Sequence, residues 1–148
     1  GLGAVQAEGL LRPLPAAIEL IAPGATLQMA GRSFTAIHAP GHADGQLLFY
    51  SAADRLLLCG DHVLQKITPN IGFWLNSQGD PLANYLGSLA DVASLEVTLA
   101  LPGHHGALTD WRGRIAELLV HHEQRLADVR GGRARRHRAG GELRRLQL

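Results

Sequence analysis

Two apolar runs sit near the middle of this chain, Gln46–Tyr50 (QLLFY) and Arg55–Cys59 (RLLLC), separated by the turn residues Ser51–Asp54. Uninterrupted runs of this length predict strands buried on both faces and covered by helices. Upstream, Thr26–Ala30 and Ser33–His38 flank Gly31-Arg32, which predicts a tight hairpin. Downstream, Asp80-Pro81 opens a helix, with Asp as cap and Pro at the first helical position. Leu82, Tyr85, Leu86, Leu89 and Ala93 give that helix a core-facing stripe. Glu96–Leu101 reads as a short strand ended by Pro102-Gly103. Thr109 or Asp110 caps a second helix whose apolar face carries Trp111, Ile115, Leu118, Leu119, His122, Leu126 and Val129.

The remaining stretches are less regular. Gly1–Leu11 has helical spacing and stops at Arg12-Pro13, whereas Ala16–Ala22 is ambiguous between strand and helix. Val63–Gly79 is irregular. Beyond Arg130 the apolar period ends, and the glycine pairs and arginines of 130–148 read as a disordered or poorly packed tail.

Composition adds bounds. The 148 residues fit one domain, 46% of them hydrophobic, with no run long enough to span a bilayer. A single cysteine, Cys59, fits a reducing compartment, so the expected location is cytoplasmic. Cys59 itself reads as a buried strand residue and not a nucleophile. The net charge of +1 hides an asymmetry: 130–148 hold seven Arg against one Glu, and 1–129 hold seven Lys or Arg against twelve Asp or Glu. The acidic body gives no reason to expect a nucleic-acid surface.

Candidate chemistry lies where strands end. Gly41-His42, Gly60-Asp61 and Gly103-His104 each place a glycine before a metal-capable side chain at or just after a predicted strand. Glycine lets backbone approach closely, and His nitrogen and carboxylate oxygen are suitable zinc ligands at about 2.0–2.2 Å. A lone loop His or strand-end Asp also serves as a surface, capping or turn residue, and spacing alone leaves both readings open. His38, His62 and His105 are candidates for orienting the ligands, His38 alternatively for the core. His121 and His122 read as ordinary helix residues. No GxSxG elbow, glycine-rich phosphate loop or paired-cysteine motif occurs.

In this order, FTAIHAPGHADGQLLFY, LLLCGDHVL and LALPGHHGAL resemble the C-terminal half of a metallo-β-lactamase-fold hydrolase, in the group that includes glyoxalase II-like thioesterases and nuclease-like members. The match covers roughly Gly24 to Leu126. The resemblance implies an α/β fold (α+β by some schemes), the second half of an αββα sandwich, incomplete at its N-terminus. It implies two Zn2+ ions in intact relatives, with His42 on one, His104 on the other and Asp61 bridging. The family's HxHxDH signature is absent, and Gly1–Leu11 resembles the helix that follows it, so 1–129 reads as a partial domain. The expected function is therefore that of a metal-dependent hydrolase with little or no activity in this chain alone. Its substrate class stays open among thioesters, phosphodiesters, lactones and other esters. KITPNIGFW, with Lys66, Thr68, Asn70 and Trp74, is a candidate substrate loop by position. The competing expectations are a non-catalytic module pairing with another chain through an exposed sheet edge, and a polyanion binder acting through the Arg-rich tail.

Overall fold

The computed structural model describes residues 19–73 and 79–145, with side chains to residue 132. Five strands form one sheet in the order β1-β2-β3-β4-β5: β1 Thr26–Met29, β2 Arg32–His38, β3 Leu47–Ser51, β4 Leu56–Gly60 and β5 Leu99–Pro102. The first four make an antiparallel meander, and β5 joins β4 in parallel. Helix α1, Pro81–Ala93, supplies the crossover between β4 and β5; helix α2 runs Trp111–Arg145.

Local chemistry accounts for most boundaries. The Asp80 carboxylate accepts from the backbone N–H groups of Leu82 (3.0 Å) and Ala83 (3.1 Å), capping α1 as its position before proline predicts. Asp110, not Thr109, caps α2 by accepting from Gly113 at 2.9 Å. The hairpin turn is Ala30-Gly31, one residue earlier than expected. Both residues have positive φ, 50° and 72°, and Arg32 already pairs with Met29. A two-residue turn that matches strand twist needs that left-handed pair. Arg55 also sits at φ 50°, which delays β4 by a residue.

The expectation of strands buried on both faces is corrected. Leu48, Leu57 and Cys59 are fully buried, and their alternates Leu47, Phe49, Leu56 and Leu58 are only partly so. Both helices cover the first face: Tyr85, Leu89 and Val92 of α1 and Trp111, Ile115 and Leu118 of α2 join Leu48, Leu57, Cys59 and Ala100 in one core. Leu99 and Leu101, paired with Leu56 and Leu58, extend the half-open apolar face.

Helix α2 continues through 130–145 as far as Arg145. The segment Gly1–Leu11 and Trp74 lie outside the described residues. Among the described residues no helix is long and apolar enough to cross a membrane.

Candidate metal centre

Three loops at the ends of β2, β4 and β5 bring His42, Asp61 and His104 together. His42 Nε2 lies 3.8 Å from Asp61 Oδ2, and His104 Nε2 lies 3.5 Å from the same oxygen. Both separations exceed an N–H···O hydrogen bond of about 2.7–3.2 Å, so neither imidazole is hydrogen-bonded directly to the carboxylate. No group of three or more His, Cys, Asp or Glu among the described residues is closed around a common position for an ion. The convergence is pairwise, through Asp61. His42 and Asp61 are about one-third exposed and His104 two-thirds, so the cluster faces solvent.

Each preceding glycine has a steric reason. At Gly41, φ is +140° and a Cβ would lie 2.7 Å from the Tyr85 Cα. At Gly60, φ is +49° and a Cβ would lie 2.9 Å from the end of the Gln46 side-chain amide. At Gly103, a Cβ would come within 2.6 Å of Asp61 Oδ1. What comes close at these positions is protein, and in the last case it is the carboxylate itself.

A set of uncharged groups holds the loops in place, and the sequence offers no local sign of them. The His42 Nδ1–H donates to the Asn70 carbonyl at 2.8 Å. A carbonyl only accepts, so this bond assigns the proton to Nδ1 and, in the neutral ring, leaves the Nε2 lone pair facing Asp61. Gln46, with its amide oriented by its neighbours, accepts from the N–H groups of Asp61 (3.2 Å) and His62 (3.3 Å). Helix α1 grips both ligand loops. Tyr85 donates its hydroxyl to His62 O at 3.1 Å, and Ser88 Oγ lies 2.8 Å from Pro40 O and 3.3 Å from His62 Nε2. Gly103 N–H donates to Gly60 O at 2.8 Å, joining the Asp61 and His104 segments.

The other histidines separate by burial. His62 is fully enclosed behind Asp61, its ring edge-on to Tyr85 and its Nδ1 without a partner. Burial, with a smaller contribution from His42, pushes its pKa down to about 4. At neutral pH it therefore sits as an uncharged ring. His38 is exposed and not in the core; its Nε2 bonds Asp44 O at 2.8 Å across the base of the His42 loop. His105 is exposed in a left-handed conformation, φ 67°. Cys59 is enclosed, its Sγ 3.4 Å from Val63 O, and burial pushes its thiol up to about 12, which makes it inert at neutral pH.

Of the loop candidates, Thr68 and Asn70 line a hollow of about 500 Å³ together with Leu82, His121 and Arg125. Lys66 is exposed. Asn70 thus touches both the hollow and His42.

The chain has known relatives. The sequence profile of the metallo-beta-lactamase superfamily matches residues 10–104. The lactamase-like protein aptB of Emericella nidulans is 28% identical over 109 residues, 74% of this chain and 33% of its own length. The lactamase-like protein nscB of Trichophyton equinum is 31% identical over 105 residues, 71% of this chain and 29% of its own. Among solved structures, a metallo-beta-lactamase family protein of Thermus thermophilus superposes with TM-score 0.71 at 38% identity, over 80% of this chain and 38% of that one. A beta-lactamase domain protein of Burkholderia ambifaria gives 0.76 at 31% identity, over 84% and 39%. The chain thus spans about a third of the length of the curated relatives it matches. With its profile match running from residue 10 through His104, and with the fold superposing on these solved structures, the chain belongs to the metallo-beta-lactamase superfamily.

Proposed function

We propose that His42, Asp61 and His104 are ligands in the metal centre of a zinc-dependent hydrolase. The observation that carries the reading is the approach of both Nε2 atoms to the single oxygen Asp61 Oδ2, at 3.8 and 3.5 Å. Two donors on one tetrahedral zinc stand roughly 3.3–3.6 Å apart, from bonds of about 2.0–2.2 Å. The His104–Asp61 separation falls in that range and the His42–Asp61 separation needs a few tenths of an ångström of closure. Two imidazoles and a carboxylate are also the donor types zinc takes. The donor types and the two pairwise separations through Asp61 fit zinc ligation, and among the described residues the three do not by themselves close around one ion.

When bound, such an ion polarises a carbonyl or phosphoryl oxygen and activates water for attack on an ester, thioester, lactone or phosphodiester. The chain's own groups prepare the ligands. Asn70 sets the His42 tautomer, Gln46 fixes the Asp61 backbone, and Gly103 lets the His104 loop lie against the carboxylate. Two imidazoles and one carboxylate are too few for two ions, and no HxHxDH occurs in the 148 residues. The chain alone is therefore expected to bind zinc weakly and to turn over little or no substrate.

Cobalt titration tests the ligand assignment: substituting His42, Asp61 and His104 together by Ala removes the visible cobalt bands of the unsubstituted chain. Unchanged bands in the triple variant would overturn it. Zinc analysis with a generic thioester and phosphodiester tests the activity statement. Stoichiometric zinc with turnover abolished by Asp61→Ala would refute that part.

A second reading rests on the partly exposed face of Leu47, Phe49, Leu56, Leu58, Leu99 and Leu101. Contiguous apolar surface of this kind seeks cover, which supports association of the chain with another copy or chain. Sedimentation of the native chain and of Leu58→Asp decides it: concentration-dependent assembly in the first and its loss in the second support association, and a monomer at all concentrations refutes it.

A further inference from the structure

We propose that Gln65 is a positioning residue that holds His104 at its distance from Asp61. The inference rests on the metal-centre reading. Gln65 follows Asp61 within the same loop, and its amide spans to the loop that carries His104. The Nε2 group donates to Ala107 O at 3.1 Å, and Oε1 accepts from Gly106 N–H at 3.2 Å. A side-chain amide engaging a donor and an acceptor on neighbouring residues fixes both the height and the rotation of that loop.

His104 needs such a support. Its side chain is two-thirds exposed, and it precedes His105, a non-glycine residue in the left-handed region. The His104 loop is anchored at its base by Gly103 N–H to Gly60 O and by the reciprocal bonds of Ala100 and Leu108, each 2.8 Å. Gln65 holds the intervening bend at Gly106 and Ala107. A Cβ on Gly106 would lie 2.8 Å from Gln65 Oε1, so the glycine is what allows the amide to reach.

Gln65 is itself braced from both sides. Arg114 on α2 donates from Nε to Leu64 O at 2.8 Å and from Nη2 to Ile67 O at 2.9 Å. The frame therefore runs from α2 through Arg114 to the 64–67 loop, and through Gln65 to the His104 loop. Both ends of the Asp61–His104 pair are referred to one helix.

The test is a zinc titration of the 148-residue chain, followed by NMR of the His42 and His104 imidazole resonances separately, in the native chain, Gln65→Ala, Gln65→Glu and Gly106→Ala. Removing groups that orient a ligand typically weakens metal binding about 10–100-fold. In Gln65→Ala the His104 midpoint is expected to rise about tenfold, with a clearly smaller change at His42. Gly106→Ala gives the same split without altering the amide. Gln65→Glu keeps the acceptor for Gly106 N–H, loses the donor to Ala107, and recovers part of the affinity. A purely structural role would lower the unfolding midpoint and shift both histidines alike, and that result overturns the proposal. So does a His104 midpoint unchanged in both Gln65→Ala and Gly106→Ala. If neither histidine of the native chain responds to zinc, the metal-centre reading fails first and the positioning role falls with it.

Discussion

Gly41 lies against the backbone of Tyr85, so closely that a side-chain carbon at Gly41 would sit 2.7 Å from the Tyr85 Cα. The loop that presents His42 is therefore seated on helix α1 by direct backbone contact. Gly41→Ala combines a steric clash with a φ of +140° that L side chains rarely adopt. Overpacking alone costs about 1–3 kcal/mol. Urea unfolding is expected to show a loss at the upper end of that range or beyond it. Gly45→Ala in the same loop, with nothing within 4 Å, stays near native stability.

Ser88 serves two loops at once, through Pro40 O and His62 Nε2. Ser88→Ala leaves a part-buried carbonyl and a buried imidazole nitrogen without this partner. Unsatisfied buried groups cost about 1–3 kcal/mol each, so a loss of about 2 kcal/mol is expected in denaturant titration. A loss below about 0.5 kcal/mol would mean that the two loops do not depend on α1 in this way.

Zinc should stabilise the fold only through the three ligands. A ligand that binds the native state alone adds about 2.7 kcal/mol at one hundred times its Kd. Differential scanning fluorimetry with saturating zinc is expected to raise the unfolding midpoint, and excess chelator to return it. Asp61→Ala should abolish the shift. A shift that survives this substitution would place the ion elsewhere.

His122 makes stability depend on pH. Burial, followed by the nearby charges of His121 and Arg125, lowers its pKa below the ordinary 6.5. Its Nε2 has no partner, and its ring meets Tyr85 edge-on at 5.5 Å. As pH falls through about 6.5 the unfolded chain takes up this proton before the folded one does, so stability is lost from there downward. Denaturant midpoints between pH 7.5 and 5 should fall more steeply in the native chain than in His122→Gln. Equal slopes would remove His122 from the account.

Much of this fold is legible locally. Asp80-Pro81 predicts a helix start because capping is a bond between a carboxylate and N–H groups two and three residues on. Glycines before His42, Asp61 and His104 mark close backbone approach without saying to what. The burial of β3 and β4 is misread as two-sided because an apolar run carries no record of whether a second layer covers it.

The sequence by itself determined the elements, the three strand-end ligand candidates and the family resemblance, because each depends on residues adjacent in the chain or on motifs in order. Only the tertiary structure decided that both Nε2 atoms face one oxygen of Asp61, that His62 is enclosed and His38 exposed, and that Gln46, Gln65, Ser88 and Arg114 hold the loops. Those supports are side-chain bonds to backbone groups, most of them far apart in sequence. Any polar residue can make such a bond, so residue type gives no sign of it, and folding alone selects which ones do.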